Sequence, residues 1–406
     1  MPRCSMVSLF VIICLTILVS DLTAITFDRI QVHGFVSQGF MISDRNNYLA
    51  DTDDGTFEFN EAGINFSQNF SEHFHVSCQF FARDIGDVGN NDIELDFALA
   101  DYRLRDFIGI RFGKIKIPHG LYNEIRDFDM LRTFIFLPPV YYDISRSTIN
   151  AMNGIGLYGN YQVPKIGNIE YQLIGGSKSI DPESGWSRYM ERRGIDITQF
   201  DIGFVGCGQF IWNLPFQGVR LGMTGTCLNM AADAEIEFIP ISTEYAIAGP
   251  DMAYNLDNFF IHVSFFEYTL NDLILAFEYM TFRGDLSLKT LHPKLPIKGY
   301  DVPVRTDTCY LSVSYRLSDY IEIGGFSAIF WPDSNDKSGQ NMLPLPDYMG
   351  WHKETALCLR LDINESLTFK TEAHLIDGGA LMMPQDNPEG IDRRSALFLF
   401  KLTFSF

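Results

Sequence analysis

The chain ends ALFLFKLTFSF, residues 396–406, and this stretch decides the fold. Phe398, Phe400, Leu402, Phe404 and Phe406 take every second position, with Lys401, Thr403 and Ser405 between them. Side chains of a strand alternate between its two faces, so one face here is wholly apolar and the other carries the polar residues. A soluble sheet ending on such a strand would carry an aggregating edge. A barrel closed around the strand removes that edge and places the aromatic face in lipid.

The same period recurs upstream. Phe74, Val76, Cys78, Phe80 and Ala82 form one such face, and Ile93, Leu95, Phe97 and Leu99 the next. Later come the faces Leu273–Tyr279, Cys309–Tyr315, Leu357–Ile363 and Leu367–Ala373, each within a strand of about ten residues, as a membrane-crossing strand should be. Short turns follow, as in QNFSEHF from Gln68, YRLRDF from Tyr102, VPKIGN from Val163, NLPFQG from Asn213, YTLNDL from Tyr268, YRLSDY from Tyr315 and DINESL from Asp362. They alternate with longer polar connections: Ser43 to Gly55, Ser177 to Phe200, Asp285 to Pro303, Pro332 to Gly350 and Asp377 to Arg394. Such alternation puts every tight turn at one end of the strands. A plain count gives about seventeen strands, and single-chain barrels favour even numbers. The weakest candidate, Asp233 to Ala246, falls where a long connection is due. Reading it as a loop leaves about sixteen strands, with both chain ends on the side of the tight turns. The expectation is an all-β fold, a transmembrane antiparallel β-barrel.

Composition agrees. Of 406 residues 46% are hydrophobic and 14% aromatic, including 35 Phe and 18 Tyr. After the first stretch no apolar run approaches the ~18 residues of a membrane helix. That first stretch, Arg3 followed by the apolar Val7–Val19, reads as a signal peptide over 1–24, cleaved near Ala24, with the barrel over 25–406 and export to the outer membrane. The net charge of -20 excludes a nucleic-acid partner. Cys78, Cys207, Cys227, Cys309 and Cys358 are scattered and form no CxxC pair, so they read as wall residues rather than disulfides or zinc ligands.

Chemical motifs are few. GIGLYG, residues 154–159, matches a dinucleotide fingerprint in letters but is followed by the strand-like NYQV rather than by a helix. Asp51-Thr52-Asp53-Asp54-Gly55 lacks the spacing of a calcium loop. His73 and His75 share a strand face and read as polar lining rather than as metal ligands. No GxSxG or HExxH occurs. No enzymatic activity, cofactor or metal is expected.

The stretch from Gly113 is unusual. Pro118 ends a strand, and the next clear strand begins after Asn153. The connection is far longer than a hairpin loop. It carries charges of both signs together with apolar Phe134, Ile135, Phe136 and Leu137. A loop this apolar is expected to fold inward against the lumen wall.

RFGKIKIPHGLYNEIRD, from Arg111, and the terminal Phe406 resemble the bacterial outer-membrane porin superfamily of trimeric general and phosphate-selective-like porins. The resemblance implies a homotrimer in lipid and lipopolysaccharide, passing small hydrophilic solutes or ions, with the third external loop as an inner constriction. Phe406 resembles the signal read by the outer-membrane assembly machinery. Mapped onto this chain, the constriction comprises Arg83, Arg111 and Lys114 on the wall, with Arg126, Asp127, Asp129, Arg132, Asp143 and Arg146 on the loop. A strongly basic, phosphate-selective pore does not fit a charge of -20. The alternative is a barrel serving as an adhesin or structural surface protein.

Overall fold

The computed structural model describes residues 30–406, except 87, 142–144, 182–186, 188–189, 192–194, 237–238, 243–244, 248–251, 291–299 and 343. The signal segment expected at 1–24 lies outside the described residues.

Sixteen barrel strands follow one another. They are β1 (Gln31–Ser43), β2 (Phe59–Asn69), β3 (Phe74–Ile85), β4 (Glu94–Arg105), β5 (Ile108–Lys116), β6 (Ala151–Val163) and β7 (Gly167–Ser177). Strand β8 is split at Gly203 into Ile195–Ile202 and Phe204–Asn213, both halves pairing with β9 (Val219–Ile236). Then come β10 (Met252–Leu270), β11 (Leu273–Thr290), β12 (Tyr300–Ser318), β13 (Ile321–Trp331), β14 (His352–Asn364), β15 (Leu367–Asp377) and β16 (Arg394–Ser405). Each pairs antiparallel with its neighbours, and β1 pairs with both β2 and β16, so the sheet closes on itself. Closure pairs both edges of the barrel sheet within the chain.

Alternation sets the two faces. On β16, Phe398 and Phe404 are 46% and 49% exposed, while Lys401 and Thr403 are 1% and 2%. The apolar side therefore points outward and the polar side inward. Phe406 closes the ring: its backbone N–H and C=O exchange 3.0 Å bonds with Gly34. A Cβ on Gly34 would lie 2.5 Å from the Phe406 ring, so glycine makes room for the terminal aromatic.

Three expectations are corrected. The face Ile93–Leu99 is not continuous: the register shifts so that Gln79 opposes Phe97 and Phe80 opposes Leu95. This bulge at Asp96 turns Phe97 and Leu99 inward and frees the Asp96 carboxylate for the lumen side. Asp285–Thr290 and Tyr300–Pro303, expected as loop, extend β11 and β12. Asp233–Ile236 continues β9, and beyond it Ile239–Ser242 and Tyr245–Ile247 make a small separate hairpin. The sixteen-strand count survives because that hairpin stands outside the barrel sheet.

The GIGLYG glycines lie within β6. A Cβ on Gly159 would sit 2.1 Å from the Phe107 carbonyl oxygen, so glycine there serves close strand packing.

All five described cysteines are free. Cys207 and Cys358 are buried on the inner face, their thiols 3.7 Å and 3.2 Å from the Pro118 and Thr133 carbonyls, whereas Cys227 is exposed outside. The denatured protein is expected to migrate identically with and without reductant. In the folded barrel, Cys207 and Cys358 should react far more slowly with a water-soluble maleimide than after unfolding. Rapid labelling of either would contradict their enclosure.

Candidate functional site

Among the described residues of 117–150, between β5 and β6, the regular elements are short helical turns at Asp129–Leu131, Pro139–Tyr141 and Arg146–Ile149. Their side chains and backbone meet the inner face of the wall on nearly every side. Asn123 ties the two limbs together by donating to the carbonyls of Ile117 and Ile149, each at 2.8 Å. Glu278 of β11 accepts from the Leu121 N–H at 2.8 Å and the Tyr141 hydroxyl at 2.6 Å. Glu372 of β15 accepts from the backbone N–H groups of Ile135 and Phe136 at 2.6 Å and 3.1 Å. Phe134 packs edge-on against Phe326 of β13, and Phe136 against Phe59 of β2. The apolar run is thus buried, and the backbone N–H groups of Ile135 and Phe136 are paired, as burial requires.

Two charged clusters join segment and wall. In the first, Asp127 receives Lys116 of β5 and Arg146, the latter at 2.7 Å. Arg146 also reaches Asp96 at 2.8 Å and Glu94 at 3.0 Å, and stacks over Phe81. In the second, Asp129 faces Lys370 at 3.2 Å, Lys401 at 3.0 Å and Arg132 at 3.6 Å, and accepts from the Thr403 hydroxyl at 2.7 Å. Lys401 also pairs with Glu61. Burial alone would raise the Asp129 carboxyl, but Lys370, Lys401 and Arg132 outweigh it and hold it well below the ordinary carboxylate range. Asp127 is held low in the same way by Arg146 and Lys116. Between the clusters, Arg83, Arg126, Arg132, Asp127 and Glu61 line a gap of about 10 Å³, room for about one water.

The structure gathers some of the residues expected from sequence and not others. Arg83, Arg126, Asp127, Asp129, Arg132 and Arg146 are all buried here. Arg111 lies nearer the tight turns, 2.8 Å from Asp101 and stacked on Tyr158. Lys114 donates to the Leu95 carbonyl. Asp143 lies outside the described residues. Lys116, Lys370, Lys401, Asp96 and Glu61 were not singled out in the sequence, although their phase opposite apolar neighbours marked them as inward. Loop acids meet wall lysines rather than an arginine ladder, and loop arginines meet wall acids. Among the described residues no His, Cys, Asp and Glu group has metal-binding geometry. His75 binds Asn69 at 2.8 Å, and His73 packs on Tyr102.

The inner face is not uniformly polar. Toward the loop end, Val205, Leu228, Phe259, Ile261 and Phe282 of β8–β11 line a cavity of about 240 Å³ above the segment.

No family model and no curated protein sequence matches the chain. Solved structures do. Outer-membrane expressed OmpT of Vibrio cholerae aligns at TM-score 0.55 with 10% identity, over 93% of this chain and 97% of that one. The anion-selective porin from Comamonas acidovorans aligns at 0.54 with 10% identity, over 93% and 99%. The outer membrane channel DcaP of Acinetobacter baumannii gives 0.54 with 8% identity, over 93% and 97%.

The fold is that of the outer-membrane porins.

At such identity the likeness concerns architecture alone. Here the segment 117–150 is the third of the long connections, and it is tied to both charged clusters described above.

Proposed function

We propose that this barrel is an outer-membrane channel for passive diffusion of small hydrophilic solutes or ions, with residues 117–150 as its constriction. The observation that carries the reading is the reach of that segment: one connection makes hydrogen bonds or ion pairs to inner-face residues of β2, β4, β5, β11 and β13–β16. Polar side chains on the inner face and on the segment can hold water, so a solute crosses without meeting hydrocarbon. The tight turns lie on the periplasmic side and the long connections outside. The assembly is a homotrimer embedded in lipid and lipopolysaccharide. Cleavage near Ala24 releases the mature chain, and Phe406 is read by the assembly machinery.

A structural or adhesive barrel would need no passage. Purified protein in planar bilayers is therefore expected to give discrete conductance steps, small for a barrel of this size because residues 117–150 lie across its interior. Folded, inserted protein without steps would contradict the channel and favour the structural reading.

A further inference from the structure

We propose that the cavity above the constriction binds a small solute with an apolar body and one hydrogen-bond donor, of the class of phenols and aromatic alcohols.

The cavity is built as a site. Its volume of about 240 Å³ exceeds the roughly 150 Å³ apolar cavity that admits benzene, so one or two fused rings fit. Val205, Leu228, Ile261 and Met280 supply aliphatic walls, and Phe259 and Phe282 meet edge-to-face at 4.1 Å beside it. Aromatic edges and faces of this kind accept a flat ring. Water would find few partners there, because the lining hydroxyls already donate elsewhere. Thr226 donates to Cys207, Thr148 to the Ser145 carbonyl and Thr306 to the Pro332 carbonyl. The Lys178 amine at the rim donates to the Ala151 carbonyl at 2.6 Å.

One polar atom is left over. His119 lines the cavity, is 2% exposed, and its Nε2 is buried without a hydrogen-bond partner among the described residues. A buried polar atom left unpaired is costly until a partner arrives. Burial, aided by Arg126, pushes the imidazole down to about 4, and the ring bonds the Val140 backbone. The ring is therefore neutral near pH 7. Its Nδ1–H donates to that carbonyl, and Nε2 offers a lone pair to the cavity. A hydroxyl on an apolar ring supplies the missing donor.

The inference rests on the cavity's own atoms and does not depend on whether the barrel conducts. It is tested by calorimetric titration of 1-naphthol and of naphthalene into the protein in lipid nanodiscs, with empty nanodiscs subtracted. The wild type is expected to bind 1-naphthol about three- to tenfold more tightly than naphthalene, the scale of one net hydrogen bond. His119→Phe should abolish that preference while keeping naphthalene binding, and His119→Leu serves if the phenylalanine variant fails to fold. Ile261→Trp fills the cavity and should eliminate both. Equal affinity for the two compounds in the wild type, binding that survives Ile261→Trp, or no binding above empty nanodiscs overturns the proposal.

Discussion

Asp129→Leu is expected to lower the free energy of unfolding by about 3–5 kcal/mol, the usual cost of stripping one partner from a buried ion group. The carboxylate stands within 3.6 Å of Lys370, Lys401 and Arg132 and accepts the Thr403 hydroxyl. Removing it leaves those cations facing one another beside Glu61 alone. Denaturant titration of the heat-modifiable band measures the loss. The double variant Asp129→Leu with Lys370→Met should recover much of it, since an ion pair exchanged whole for apolar side chains is close to neutral. The same carboxylate gives a pH signature. Its folded pKa lies below the value near 3.9 of an unfolded aspartate. Its stabilisation is therefore complete above about pH 4 and lost as pH falls below that. An unchanged unfolding midpoint in Asp129→Leu would show that the segment is not anchored through this cluster.

Phe406→Asp is expected to leave little barrel in cells while refolding in detergent nearly as the wild type does. The two outcomes separate recognition from stability. Phe406 is 58% exposed and sits at the strand end, where a charge on the lipid face costs only about 0–1 kcal/mol. Its backbone bonds to Gly34 do not require the aromatic ring. What the change destroys is the terminal aromatic that we propose is read by the assembly machinery. Wild-type amounts of heat-modifiable protein in outer membranes would contradict that role. Failure to refold in detergent would instead make the ring a structural clasp.

The wall was legible in the sequence because period two is a local property. The faces Leu357–Ile363 and Phe398–Phe404 could be read without knowing what they pair with, and the alternation of turns and loops counted the strands. Phe97 and Leu99 were misread because a bulge changes phase without changing composition. The charged loop residues were visible, but their partners were not. Asp129 meets Lys401 across 272 positions of sequence, a contact fixed only by barrel closure and by where the segment crosses. Lys116, Lys370 and Glu61 look like ordinary inward polar residues until the loop lies against them. His119 sat in plain view within IPHG, yet its isolation depends on Val140 and on walls from four other strands. The apolar cavity itself ran against the expectation of a polar lumen.

The central claim is that residues 117–150 narrow the channel. Single-channel recording of a variant in which residues 121–137 are replaced by a short Gly-Ser link tests it most directly. With the barrel still folded and inserted, conductance is predicted to rise severalfold, because the link removes groups that now reach the inner face of β11, β15 and β16. Conductance equal to that of the wild type in the same folded barrel would contradict the claim and place the limit to passage elsewhere.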